Sequence, residues 1–163
     1  MAATPEKVRS APAILNAGAV AGAMDITAAA IQTWLKGRPP ARMLQGIASG
    51  WLGRASYQGG MATVALGFAT HFFIATSWAA LYWFASRRFP VLVRRAWISG
   101  TVFAFVVYAT MYEVVMPLSA IHHRVPRTPQ DVLVQLLIHV FCVGLPISLI
   151  LRAYTPRSEI TTI

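Results

Sequence analysis

Four ionisable side chains stand inside apolar stretches of the sequence, one in each stretch. Asp25 interrupts the run AGAVAGAMDITAAAI (17–31), and the other three are His71, Glu113 and His139. A carboxylate near the centre of a bilayer costs about 3 kcal/mol or more unless it is paired or protonated. Counted at about 1.5 Å per residue, all four groups lie about 8–16 Å from the same membrane edge. They are therefore predicted to form one buried polar cluster that joins the helices.

Three interpretations of this cluster stay open. The groups could hydrogen-bond across helices and fix the packing, so that Asp25→Ala costs about 1–3 kcal/mol or more. They could bind protons, because His titrates near neutral pH and the pKa of a buried carboxyl group can rise towards it. Two histidines and two carboxylates are also an acceptable ligand set for a metal, with His71 and His139 as the candidate ligands, and the two histidines alone are the candidates for binding haem. No particular cofactor is indicated.

The composition shows that membrane helices must position these residues. Of the 163 residues, 56% are hydrophobic and only 12% are charged, whereas a soluble domain carries about 25% charged residues. The single cysteine, Cys142, excludes an internal disulfide framework. The net charge of +9 does not indicate nucleic-acid binding, because the basic residues cluster at the ends of apolar runs, where they meet lipid headgroups.

Four apolar runs predict an all-α fold, a polytopic four-helix transmembrane bundle that forms a single domain over residues 1–163. A helix needs about 20 apolar residues to cross the hydrocarbon. The predicted spans cover approximately 13–35, 60–85, 97–118 and 132–151. An even number of spans places both chain termini on one side of the membrane.

The segment 40–57 is predicted to form a short amphipathic helix in the membrane interface, with a re-entrant loop as the alternative. Pro39 and Pro40 end the helix before it. Apolar residues then recur at helical spacing, opposite Arg42, Gln45 and Ser49: Met43, Leu44, Ile47, Trp51 and Leu52.

One face of the first span combines small residues with Asp25. Gly18, Gly22, Asp25, Ala29 and Gln32 follow one another at spacings of 4, 3, 4 and 3 residues, so they form one stripe on a helix. The small side chains of Gly18, Gly22 and Ala29 allow another backbone to approach closely. Asp25 is therefore predicted to face a neighbouring helix, in this chain or in another.

Charged residues in the loops bear on topology. Arg87, Arg88, Arg94 and Arg95 lie between the second and third spans. They are predicted to contact lipid headgroups and favour a cytoplasmic position for this loop and both termini. His122-His123, in the last loop, is interpreted as a solvated pair, with an access role for the polar cluster left open.

The order of these features resembles the YagU-like family of small bacterial inner-membrane proteins. The resemblance rests on GRPPAR after the first helix, Thr70-His71, Phe89-Pro90, Pro117-Leu118 and the early His139 of the last helix. It implies a bacterial inner-membrane location and no established enzymatic activity. It transfers no catalytic residue to this chain.

Three functional hypotheses follow. The leading one is a non-enzymatic membrane protein that oligomerises or acts as an accessory subunit through its small-residue faces, with lipids and other membrane chains as partners. The alternative is a small H⁺ or cation carrier or a pH-responsive protein, and a further one is a metal- or haem-binding redox subunit. No catalytic motif is present. A water-filled cavity that reaches Asp25 and His71 would favour transport, whereas a dry, paired cluster would favour packing.

Overall fold

The computed structural model describes residues 10–122 and 127–156, and within these two stretches it contains helices and no strand. We number the helices α1 Ser10–Leu35, α2 Pro40–Leu52, α3 Gly60–Arg88, α4 Val91–Arg94, α5 Ala96–Leu118 and α6 Pro129–Ala153. Helices α1, α3, α5 and α6 are long and apolar enough to cross a membrane. The chain is therefore an all-α, multi-pass membrane bundle.

The four long helices agree with the predicted spans to within three residues at each end. The loop between α5 and α6 is described as far as His122, which has a positive φ of 53°. His123 and Arg124 lie outside the described residues. The predicted role of the His122-His123 pair therefore stays a prediction.

The turn between α1 and α2 is sharp because its residues permit the required backbone angles. Gly37 has φ 71°, in the left-handed region that favours glycine at the end of a helix. Pro40 then begins α2, at a position where a missing N–H is tolerated. After this turn, α2 packs against α3.

The first close helix contact brings α1 against α3 of the same chain. A Cβ on Gly18 would lie 2.6 Å from the Cα of Thr76, and one on Gly22 would lie 2.9 Å from the Phe72 ring. The sequence left open whether the neighbour of this stripe belongs to this chain or another. For Gly18 and Gly22, it is α3.

A second close contact, which the sequence analysis missed, joins α5 and α6. A Cβ on Gly100 would lie 2.9 Å from the carbonyl oxygen of Gly144 and would also meet the Ser148 hydroxyl. In return, a Cβ on Gly144 would meet the carbonyl oxygen of Gly100. Small residues thus allow close backbone approach between α1 and α3 and between α5 and α6, as is common in membrane proteins.

Both contacts lie in the half of the bundle that contains the start of α1 and the end of α6, which we call the closed half. The apolar core fills this half. Tyr82 and Phe103 rings, with centroids 4.8 Å apart, bridge α3 and α5. The buried core residues are Ala13, Ala17, Ala21, Ala79, Tyr82, Trp83, Val107, Val143, Ile147 and Leu151.

In the other half, which we call the open half, α5 and α6 contain π-helical turns. The turns cover Met111–Val115 and His139–Gly144. Each is followed two residues later by a proline, Pro117 or Pro146. A proline inside a helix lacks the N–H and clashes with the carbonyl four residues before it. In a membrane helix, a local π adjustment accommodates this disruption.

Helix α2 packs on α3 with the face that the sequence analysis assigned to the polar side. Gln45, Ala48 and Ser49 are its buried residues, whereas Trp51 is 63% exposed. The reason is again a close approach, because a Cβ on Gly67 would collide with the carbonyl group of Leu44. The predicted helix exists, but its polar residues Gln45 and Ser49 are buried, whereas Trp51 is exposed and donates a hydrogen bond of 3.0 Å from Nε1 to Thr70 of α3.

Adding a methyl group at the α5–α6 contact tests this packing. Gly144→Ala is expected to destabilise the protein by about 1–3 kcal/mol through overpacking, although Gly→Ala inside a helix ordinarily stabilises. The control is Gly50→Ala, since a Cβ there lies 3.8 Å from Ser119, an ordinary contact. Thermal unfolding in mild detergent measures both variants, and an unchanged midpoint for Gly144→Ala would refute the close contact.

Candidate functional site: a polar vestibule

The open half of the bundle encloses a cavity of about 970 Å³, which we call the vestibule. All four long helices and α2 contribute to its wall. Along α1 it extends from Lys36 at its rim to Ala21 at its floor, a rise of about 22 Å for a straight helix. The exposed side chains of Arg38 and Arg42 also line the rim, so the vestibule opens on the side opposite the described chain ends.

Asp25 and His71 lie together in the vestibule wall, as the sequence predicts. The distance from Asp25 Oδ2 to His71 Nε2 is 3.9 Å. His71 Nε2 lies 2.9 Å from the carbonyl oxygen of Gly22, and because a carbonyl only accepts, Nε2 donates the hydrogen. No described residue donates a hydrogen bond to Asp25. Its carboxylate, 22% exposed, therefore faces the vestibule instead of a fixed partner.

His139, on α6, lines the same vestibule. Its Nδ1 donates a hydrogen bond of 2.8 Å to the carbonyl oxygen of Gln135, so this bond orients the ring. The Gln135 amide in turn donates to Gln32 Oε1 of α1, at 2.8 Å. This bond connects the open ends of α1 and α6 across the vestibule wall.

Glu113 does not belong to the cluster, and the prediction that it is buried there is wrong. Its side chain is 43% exposed, and Oε1 accepts a hydrogen bond of 2.8 Å from Arg127 Nη2. Met111, Tyr112 and Met116 face the vestibule, whereas Glu113 is exposed and is not among the residues that line it. Of the four predicted cluster residues, three therefore line the vestibule: Asp25, His71 and His139.

Arg127 ties the end of α5 to the start of α6 outside the vestibule. Besides the bond to Glu113, it donates to the Tyr108 hydroxyl at 2.7 Å, and its guanidinium lies 4.4 Å from the centroid of the Tyr112 ring. Desolvation works to lower the pKa of Arg127, but the bonds to Glu113 and Tyr108 outweigh it and raise that pKa. Arg127 therefore remains a fixed positive charge behind Tyr112.

The small-residue stripe of α1 divides between two roles. Gly18 and Gly22 pack on α3, whereas Ala29 and Gln32 line the vestibule with Asp25. Close helix packing at Ala29 therefore stays a prediction. In the vestibule wall, the hydrogen bond from His71 to the Gly22 carbonyl still connects α3 to α1.

The arginines of the loop between α3 and α5 lie at the closed end of the bundle. The Arg87 guanidinium lies 5.4 Å from the Trp83 ring centroid, and that of Arg88 lies 5.5 Å from Phe89. The Arg94 carbonyl accepts a hydrogen bond of 3.2 Å from Arg152. Contact of these residues and Arg95 with lipid headgroups stays a prediction.

The rim charges are a feature that the sequence pattern did not indicate, since Arg42 was placed only on the polar side of the 40–57 segment and Lys36 and Arg38 were given no role beyond that of basic residues at the ends of apolar runs. Lys36 donates a hydrogen bond of 2.8 Å to Asp131, and Asp131 also closes the capping box of α6 with Thr128. The guanidinium of Arg42 lies 4.9 Å from the ring centroid of Tyr57. The rim is thus built from the ends of α1, α2 and α6.

Residues 10–122 and 127–156 contain no group of three or more His, Cys, Asp or Glu that could hold a metal. Comparison with protein-family models, curated proteins and solved structures gives no match. The resemblance to the YagU-like family therefore stays a prediction, and the site must be interpreted from its own geometry.

The geometry changes the expected cost of removing Asp25. Because its carboxylate accepts no hydrogen bond from a described residue and borders the vestibule, we expect Asp25→Ala to cost less than about 1 kcal/mol, as for a solvated ion pair. His71→Ala removes the bond to Gly22 and is expected to cost about 1–3 kcal/mol. Thermal unfolding compares the two variants. A larger loss for Asp25→Ala than for His71→Ala would mean that Asp25 is a buried packing residue.

Proposed function

We propose that this protein is a small membrane carrier whose vestibule takes up a solute from the side opposite the start of α1 and the end of α6. The observation that supports the proposal is the position of the vestibule, which runs from the exposed rim to Asp25 and His71. Ionisable residues inside membrane proteins mark substrate or ion pathways when they border a water-filled cavity. Transporters also hold their substrates near the middle of the bilayer.

The closed half supplies the second property that a carrier needs, a seal on the other side. Ala17, Ile147 and Leu151 are each 0% exposed in the apolar core, and Trp78 lines the vestibule where it meets that core. A cavity that opens on one side and is sealed on the other is the arrangement of one state of an alternating-access carrier. The Asp25–His71 pair is its candidate proton-binding group.

The packing argues against using the glycine faces for assembly. Gly18 and Gly22 face α3, while Gly100 and Gly144 face each other, so both small-residue contacts are made within one chain. The hypothesis of an oligomer or accessory subunit depended on such a face being available to another protein. The carrier proposal is therefore the one that the geometry favours.

We also propose that the protein resides in a bacterial inner membrane with both termini in the cytoplasm. Arg87, Arg88, Arg94 and Arg95 lie at the closed end, and an excess of basic residues in a short loop favours the cytoplasmic side. The vestibule would then open towards the periplasm.

Accessibility of introduced cysteines tests the proposal. In a Cys142→Ala background, Ala29→Cys, in the vestibule wall, is expected to react with a membrane-impermeant methanethiosulfonate reagent added to the rim side. Ala17→Cys, placed within the seal, is the matched control and is expected to react much more slowly. The measurement is the labelling rate in sealed vesicles of known orientation.

Two outcomes of this experiment would contradict the proposal. If Ala29→Cys does not react from the rim side, the vestibule is not open to water. If Ala17→Cys reacts as fast as Ala29→Cys, the seal is absent and the cavity behaves as a pore.

A further inference from the structure

The rim of the vestibule carries positive charge that the described carboxylates do not neutralise. Three cations line it, Lys36, Arg38 and Arg42. Lys36 is paired with Asp131. Arg38 and Arg42 form no ion pair with any carboxylate of the described residues. The rim therefore presents two guanidinium groups to an incoming molecule.

The remaining described carboxylates are placed where they cannot cancel this charge. Glu113 is bound to Arg127 and does not line the vestibule. Asp25 lies 13 to 17 positions before Arg38 and Arg42 in the sequence, deep in the wall. The electrostatic field thus favours an anion at the rim and disfavours one at the floor.

Apolar and thioether side chains occupy much of the vestibule wall. Ile26, Met43, Ile47, Ile74, Met111 and Met116 belong to it. Methionine side chains are flexible and adapt to irregular apolar ligands. A volume of about 970 Å³ lies at the upper end of the range for sites that hold whole organic molecules. Neither a proton nor a small inorganic ion needs such a space.

We infer that the vestibule binds an amphiphilic organic anion, with a carboxylate or phosphate group at Arg38 and Arg42 and an apolar body against the methionine-lined wall. The inference deepens the proposed function and rests on it, because the vestibule must be open from the rim side. Guanidinium groups suit this ligand class, since their planar donors bind carboxylate and phosphate oxygens in pairs. Asp25 sets the orientation by repelling the anionic end from the floor.

Protection of the introduced cysteine tests the inference. Octyl phosphate, an anion with a short apolar chain, is expected to slow the labelling of Ala29→Cys in phosphatidylcholine nanodiscs. Octyltrimethylammonium, a cation with the same chain, is expected to give no protection at the same concentration. Equal protection by both compounds would show that only the apolar chain is recognised and would overturn the inference.

Substitution of the rim arginines supplies the second arm. Arg38→Gln combined with Arg42→Gln is expected to weaken protection by octyl phosphate about tenfold or more, because charge-assisted hydrogen bonds are lost. Arg54→Gln is the matched control, since Arg54 is exposed but does not line the vestibule. Equal losses in the rim and control variants would contradict the assignment of the anion to the rim.

The ligand could come from the bilayer or from solution, and a third arm distinguishes these sources. If the anion is a lipid headgroup, phosphatidylglycerol in the nanodiscs protects Ala29→Cys without octyl phosphate, and the rim substitutions remove that protection. If it is a soluble molecule, phosphatidylglycerol has no such effect while octyl phosphate still protects. Either result supports the inference, and protection by neither compound overturns it. Failure of Ala29→Cys to react at all would instead overturn the proposed function.

Discussion

Close backbone contact in one half of the bundle is the constraint on which the rest of the structure depends. Without a hydrophobic driving force between helices in lipid, association relies on packing, and small residues allow it. Gly18 and Gly22 join α1 to α3, and Gly100 and Gly144 join α5 to α6. These contacts seal the closed half. The open half lacks comparable contacts between the long helices of the described chain, and the π-helical turns widen α5 and α6 there.

The vestibule explains how a carboxylate can occupy an apolar run. A charged group in hydrocarbon needs a partner, protonation or water. Asp25 has His71 at 3.9 Å, too far for a hydrogen bond, and a cavity in front of it. We therefore expect hydration from the open side, together with the nearby His71, to be the physical route by which the chain tolerates Asp25. The same opening makes Asp25, His71 and His139 available to a ligand.

Helix lengths could be predicted from the sequence, because apolar runs determine them, and the small-residue stripe indicated that Asp25 faces a neighbouring helix. That this helix is α3, with His71 beside Asp25, could not be predicted. The position of Glu113 could not, since it depends on which face of α5 borders the vestibule and on Arg127 in a distant part of the chain. The burial of Gln45 in α2 was also missed. Apolar periodicity assigns a polar face to water, whereas here a close approach at Gly67 puts that face against α3. Such contacts between distant segments leave only a weak signal in one sequence.

Hydroxyl-radical footprinting of the unmodified protein in nanodiscs tests most directly whether the vestibule contains water. Met111 lines the vestibule. Met24, beside Asp25 on α1, is 41% exposed but does not line the vestibule, so we expect it to face the surrounding lipid. We expect Met111 to be oxidised several times faster than Met24, because radicals form in water and not in hydrocarbon. Oxidation of Met24 at the same rate or faster would contradict a water-filled vestibule and the function proposed from it.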